Sequence, residues 1–348
     1  MNRMACRAAF LSFLGLCLAL ISSGCGLSSI GSGAQPIRIA YSHQGFETES
    51  WVFMHDTLQR LSRELGFQLE VRNAEEDVDR QLADVNDLIA SGIDGIVLAP
   101  QDGDSAVGLI ALCNREDVPV GILNRPPANL NGRAILGATD NYGIARGTTD
   151  YLVSELLRLN SGKPALILVG DLNDINAIER RRGFLDALEA RTESLPPAIQ
   201  VATEWDAIIA AENLEAALDR NPDIGMIFTS SDFLYPVIER TLAAHGMWHP
   251  RGESGHVVLG GIDGDTTAGR LMDEGYVDAT GVQVLDQEVT RIVTELLAAI
   301  RRGDPQPDRR DRLEGLVLTQ DNMKDRRGDM WGNMIRSSKD EGQKGNGQ

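Results

Sequence analysis

Short apolar runs alternate with amphipathic stretches along most of this chain, and that alternation sets the fold. Eight runs read as strands, over residues 37–41, 68–72, 95–99, 120–124, 165–169, 199–204, 226–230 and 257–262. Between them apolar residues recur at spacings of three and four, as at Trp51, Met54, Leu58, Leu61 and Leu65, or Val289, Ile292, Val293, Leu296 and Ile300. Such a period places one apolar stripe along a helix. The same pattern predicts helices over 78–89, 106–113, 144–157, 178–188, 210–218 and 237–244. Repeated strand–helix alternation implies right-handed crossovers and parallel sheets covered on both faces. So many units exceed one comfortable sheet. The expectation is an α/β protein with two doubly wound parallel-sheet domains.

The two ends break this rhythm. Residues 1–24 read as a charged start (Arg3, Arg7), an apolar run over 8–21, and a small-residue exit, Ser22-Ser23-Gly24. That is the three-part pattern of an export signal, too short and wrongly flanked for a spanning helix. Cys25 follows directly and resembles the acylated cysteine of the bacterial lipoprotein lipobox, although Ser22 stands where that motif usually has a branched apolar residue. A cleaved signal followed by an unmodified cysteine is the alternative. Either way the mature chain works outside the cytoplasm, and with Cys25 acylated it would be held to a membrane of the cell envelope. Residues 25–35 then form a lipidated cysteine and a Gly/Ser tether. Residues 323–348 are rich in Lys, Asp, Gly, Asn and Ser, lack apolar periodicity, and read as a disordered tail.

Charge narrows the partners. Residues 1–24 hold two arginines and no acid, leaving 31 basic against 51 acidic side chains and a formal charge of −20. Such a surface repels phosphate backbones and anionic lipid, so nucleic acid is not an expected partner. Cys6 and Cys17 leave with the signal and Cys25 is the acylation candidate, so Cys113 alone remains and no intrachain disulfide framework is expected. About 310 mature residues suffice for two ordinary domains held by burial alone.

In doubly wound sheets ligands bind outside the carboxyl ends of the strands, so the residues just after each run are the ones to inspect. They are polar and aromatic: Ser42-His43-Gln44-Gly45-Phe46 with Trp51 at the next helix start, Asn124-Arg125, Asn176 and Arg180, Trp205-Asp206, Ser231-Asp232, Asp263, and Gln283. Guanidinium forks, carboxylates and carboxamides bond several hydroxyls at once, while flat aromatic faces cover C–H surfaces. That set suits a neutral polyhydroxylated molecule.

At these positions the chain resembles the ribose/galactose-type periplasmic sugar-binding family, related to the ligand domains of lactose-repressor-type regulators. The resemblance runs from about Ile37 to Leu318. It is carried by Leu98-Ala-Pro-Gln-Asp-Gly-Asp-Ser-Ala-Val107, Asn124-Arg125, Gly137-Ala-Thr-Asp-Asn141, Glu179-Arg180-Arg-Arg-Gly-Phe184, Thr229-Ser-Ser-Asp232 and Gly260-Gly-Ile-Asp-Gly264. It implies the type I periplasmic binding protein fold, with one lobe from residues 36–139 and 284–312 and another from 140–283 and 313–322. Three hinge crossings would lie near Thr139-Asp140, Gln283-Val284 and Leu313 to Leu316. It further implies an interdomain ligand set of Ser42, Phe46, Trp51, Asn124, Arg125, Asn176, Arg180, Trp205, Ser231, Asp232, Asp263 and Gln283. In that set Arg180 grips ring oxygens, Trp205 is the stacking platform, Asp263 accepts hydroxyls, and either Phe46 or Trp51 supplies the second ring. Ser231 stands where the family usually has Asn. The implied role is capture of a monosaccharide or polyol by a monomer that delivers it to an ABC permease. A receptor subunit for a sensor kinase or chemoreceptor is the rival.

Residue by residue, blander readings stand beside these. Trp205 could be packing, Arg180 the start of a solvated charge run, and Asp263 a turn residue; Trp248 and Trp331 match nothing and read as surface or tail. Facing the cleft, Arg180 and Asp263 are expected to be solvated by water in the open, ligand-free state and to contribute little to folding. Chemistry is sparse. The five histidines show no i, i+4 zinc pairing, Asp102-Gly-Asp104 and Asp263-Gly-Asp265 do not continue into a calcium loop, and no Gly-x-Ser-x-Gly elbow or phosphate-loop lysine occurs. No cofactor, metal or catalytic residue is therefore expected. A glycosidase with two facing carboxylates is the residual enzymatic reading.

Overall fold

The computed structural model describes residues 35–129, 131–159, 162–191 and 195–336. The export signal, Cys25 and all but the last residue of the tether lie outside them. The first sheet holds β1 (Arg38–His43), β2 (Gln68–Asn73), β3 (Gly95–Ala99), β4 (Val120–Leu123) and β5 (Ile135–Gly137), all parallel, in the order β2-β1-β3-β4-β5. The second holds β6 (Ala165–Val169), β7 (Ile199–Ala202), β8 (Met226–Thr229), β9 (Val258–Asp263), β10 (Ala279–Val282) and β11 (Leu316–Thr319), ordered β11-β10-β9-β8-β6-β7. Only β11, at an edge, runs antiparallel among the described strands.

Central strands are unbroken apolar runs because helices cover both faces: β3 reads Gly-Ile-Val-Leu-Ala and β6 Ala-Leu-Ile-Leu-Val, every residue buried. Edge strand β7 alternates instead, with Gln200 and Ala202 exposed. The first sheet is flanked by α1 (Glu49–Leu65), α2 (Val78–Ala90), α3 (Gly103–Arg115) and α9 (Leu285–Arg302); the second by α4 (Asn141–Arg158), α5 (Ile175–Glu189), α6 (Ala207–Arg220), α7 (Tyr235–Ala244) and α8 (Thr266–Asp273). Six of these helices begin on an aspartate N-cap that accepts from first-turn amides: Asp77, Asp102, Asp140, Asp174, Asp206 and Asp265. The caps sit at strand-to-helix junctions, so helix starts and carboxylates gather at the carboxyl ends of both sheets.

The chain passes between the sheets three times. Residues 138–140 lead from β5 into α4, residues 283–284 from β10 into α9, and residues 313–315 return to β11. The first and third passages are bonded together: the Asp140 amide donates to Leu313 O at 2.8 Å and the Leu313 amide to Ala138 O at 2.9 Å. The second joins them through the Val284 amide, which donates to Thr139 Oγ1 at 3.1 Å. Buried Glu288 of α9 accepts from Thr139 N and Oγ1 at 2.8 and 2.6 Å, and burial pushes its carboxyl up to about 7.

The disordered tail expected from residue 323 does not begin there. Residues 323–336 fold back as α10 (Met323–Arg326), a short 3-10 turn and a helical stretch over 331–336. Trp331, expected on the surface, is 2% exposed and packs with Met330 against the core. Their two apolar side chains are too few to give a visible period in sequence, yet large enough to seat the segment. Residues 337–348 lie outside the described residues. Trp248 stacks on Tyr276 with ring centroids 4.4 Å apart.

Candidate functional site: a polar cleft between two lobes

The carboxyl ends of the two sheets face each other across a cleft of about 550 Å³. Each side chain reaches it from a strand end or the first turn of the next helix. From the first lobe come Gln44 after β1, Trp51 in the opening turn of α1, Gln101 after β3, and Asn124 and Arg125 after β4. From the second come Asp174 and Asn176 at the start of α5, Arg180 one turn further, Trp205 after β7, Ser231 and Phe233 after β8, Asp263 ending β9, and Gln283 after β10.

Two arginines organise the floor. Arg125 Nε lies 2.9 Å from Asp174 Oδ2, and this ion pair crosses from one lobe to the other. The same guanidinium bonds Gln44 Oε1 and the Gln101 carbonyl and stands 5.7 Å from the centre of the Trp51 ring. Arg180 is 4% exposed. It donates through Nε to Asn141 Oδ1 at 2.7 Å and through Nη1 to Ser230 O at 2.8 Å, and Nη2 lies 3.4 Å from Asp263 Oδ1. The Gln283 carboxamide, oriented to satisfy its neighbours, donates to Asp263 Oδ1 at 3.1 Å. Its oxygen accepts from Arg180 Nη2 at 2.9 Å and from Asn124 Nδ2 at 3.1 Å. Ser231 Oγ donates to the other Asp263 oxygen. Burial raises the Asp263 carboxyl, against the Arg180 charge and the Ser231 bond, which lower it. Asn176 ties the lobes again by donating to Asn124 O at 3.2 Å.

Trp205 forms the other wall. In the turn that follows β7 its backbone has φ of +56°, after Glu204 at +52°. The ring fits only because residue 170 is glycine: a Cβ there would lie 2.2 Å from the indole. The Arg180 guanidinium is 5.9 Å from its centre, and the indole Nε1 has no bonding partner in the protein.

The residues singled out in sequence divide cleanly. Trp51, Asn124, Arg125, Asn176, Arg180, Trp205, Ser231, Asp263 and Gln283 all line the cleft. Ser42, Phe46 and Asp232 do not. Ser42 is fully buried within β1, and its Oγ meets Gln81 Nε2 of α2 at 3.5 Å; Gln44, one residue past the strand's end at His43, takes the cleft position. Phe46 packs on His43 and His55, ring centroids 4.1 and 5.2 Å apart, leaving Trp51 as the cleft aromatic of this lobe. Asp232 is fully buried beneath Ser231, where its Oδ2 accepts from the Gly264 amide at 2.7 Å and from Thr280 Oγ1 at 2.8 Å. Nor are Arg180 and Asp263 water-solvated side chains awaiting a partner; their bonds lie within one lobe. Sequence reasoning passed over Asp174, Gln101 and Phe233. Asp174 carried a readable signal, an aspartate two residues before Asn176 at a helix start after a strand.

The periplasmic binding protein domain family matches residues 39–304. The chain belongs to that family. Among its relatives, the ribose import binding protein of Escherichia coli K12 is 26% identical over 238 residues, covering 68% of this chain and 76% of that protein. The D-ribose/D-allose-binding protein of Pseudomonas aeruginosa is 25% identical over 291 residues, covering 81% and 86%. Solved structures share the fold: a Caulobacter myo-inositol binding protein with TM-score 0.74, 20% identity and 86% and 100% coverage, and a galactofuranose binding protein with TM-score 0.73, 18% identity and 85% and 99% coverage. Two mostly parallel sheets with helices on both sides are the type I architecture of these binding proteins.

Proposed function

We propose that this protein captures one neutral monosaccharide or similar polyol in the interlobe cleft and hands it to an ABC permease, without chemical change. The observation that carries the reading is the pairing of two tryptophans, Trp51 and Trp205, with a buried ring of carboxamides, carboxylates and guanidiniums between them. Aromatic faces cover the C–H side of a sugar, and fixed donors and acceptors meet its hydroxyls. Binding rather than catalysis is supported by the state of the cleft's buried carboxylates. Asp174 and Asp263 are each committed to an arginine, so neither stands free to shuttle protons to a glycosidic bond. Import as the destination rests on the relatives named for ribose import; a sensor partner would use the same closed form.

Ser231 and the wide cleft leave pentoses, hexoses, cyclitols and furanoses as ligand classes. Thermal-shift screening of the mature protein against D-ribose, D-allose, D-galactose, a galactofuranoside and myo-inositol tests this. At least one should raise the melting temperature in a saturable way; silence across the panel would overturn the polyol reading. Acylation of Cys25 is part of the proposal, supported by its place behind the small-residue exit.

A further inference from the structure

The last described segment touches the site from behind. Trp331 is almost fully buried, and its indole Nε1 donates to the backbone carbonyl of Asp263 at 2.7 Å. The next amide, of Gly332, donates to the carbonyl of Gly264 at 3.0 Å. Asp263 has φ of +129°, a backbone conformation that an L residue keeps only where its surroundings enforce it. Its carbonyl also accepts from the Gln283 amide at 3.3 Å, so the Trp331 bond falls where two cleft residues meet. The segment is anchored independently of this contact: Arg327 and Arg336 pair with Asp273 of α8.

The Trp331 ring also meets the other lobe. Its centroid is 5.5 Å from that of Phe53, a half-buried residue of α1. Beside it, Glu49 of α1 accepts from Thr266 N at 3.1 Å and from Thr266 Oγ1 at 2.6 Å. Trp331, Asp263 and Gly264 belong to one lobe, so their bonds survive separation of the lobes. The Phe53 contact does not.

We propose that Trp331 is a positioning residue for Asp263 and, through Phe53, favours lobe closure over a correctly shaped Asp263 turn. This rests on Asp263 facing the ligand. The indole bond holds the strained turn so that its carboxylate points into the cleft, and the Phe53 stack is available only to the closed state, which it therefore favours.

Two variants of the mature protein separate this from simple core filling. Trp331→Phe keeps an aromatic ring and loses the indole donor; Phe53→Ala removes the partner in the other lobe. In ligand-free protein, Trp331→Phe should speed amide hydrogen exchange across residues 260–268 by about threefold or more, as expected when a local opening equilibrium shifts. Phe53→Ala, which leaves the indole bond in place, should keep that exchange near wild type. With D-ribose or myo-inositol as probe, Phe53→Ala should speed dissociation about threefold to tenfold, within the range of a lost aromatic contact. Unchanged exchange at 260–268 in Trp331→Phe, or wild-type dissociation from Phe53→Ala, would overturn the proposal. If neither probe binds, the polyol reading is what fails, and the exchange measurement decides the positioning of Asp263 alone.

Discussion

Removing the Arg180 guanidinium would leave the Asp263 carboxylate buried beside no cation, and would free Asn141 and the Ser230 carbonyl of their donor. Breaking a buried pair from one side costs roughly 3–5 kcal/mol. Arg180→Ala should therefore lower the ligand-free melting temperature, and calorimetric unfolding measures it. Arg180→Lys should recover little, since one ammonium cannot bond Asn141, Ser230 and Asp263 together. Trp205 is the opposite case, a ring with an unused N–H on the cleft wall. Trp205→Ala should fold normally and weaken binding by about tenfold to a hundredfold. Asp265 carries a pH signature. Burial raises its carboxyl to about 7, with Asp263 and Glu49 adding to the rise. A raised folded pKa contributes stability that is full below the ordinary value, near 3.8, and is lost as pH rises through 7. Asp265→Asn keeps the helix cap and should flatten the fall in melting temperature between about pH 4 and 7; an undiminished slope would assign it elsewhere.

The elements were readable where burial is continuous or one-sided. All eight runs became strands; the central ones are apolar because helices cover both faces, whereas the edge strands β2 and β7 keep polar residues on an open side. Strands β5, β10 and β11 escaped notice since three or four residues, with Gly137 and Gly281 among them, carry no period. Cleft membership followed strand ends closely but erred by single residues. Ser42 and Gln44 share one face by the strand's period of two; only the end of β1 at His43 separates them, and no apolar pattern marks that end. Phe46 against Trp51 was likewise undecidable, because the turn of a loop, not its composition, aims the ring. Trp331 was invisible for another reason: its partners Asp263 and Phe53 are far away in sequence. At the hinge, Gly315 leaves no room for a side chain, since a Cβ would lie 2.5 Å from Ile144 Cγ2 and 2.8 Å from the Val282 carbonyl. Gly315→Ala should destabilise by about 1–3 kcal/mol through overpacking, seen as a lower unfolding midpoint in urea.

For the molecule as a whole, polar contacts that water can replace join the lobes beside the Phe53–Trp331 ring contact. Arg125–Asp174, Asn176–Asn124 and Glu49–Thr266 all cross between them. Such contacts permit opening, and a ligand that touches both sides shifts the balance toward closure. Tethering belongs to this scale too. If Cys25 is acylated, Cys25→Ser should move the protein from membrane to soluble fractions, because several acyl chains hold where one barely does; wild-type protein already soluble would end that part of the account. The central claim is that the cleft itself binds a polyhydroxylated molecule. Calorimetric titration of the mature protein with the best ligand from the panel tests it most directly, run beside Trp205→Ala and Asp263→Asn. The account predicts one site per chain, weakened about tenfold or more in each variant. Full-strength binding by both folded variants would place the ligand elsewhere and contradict it.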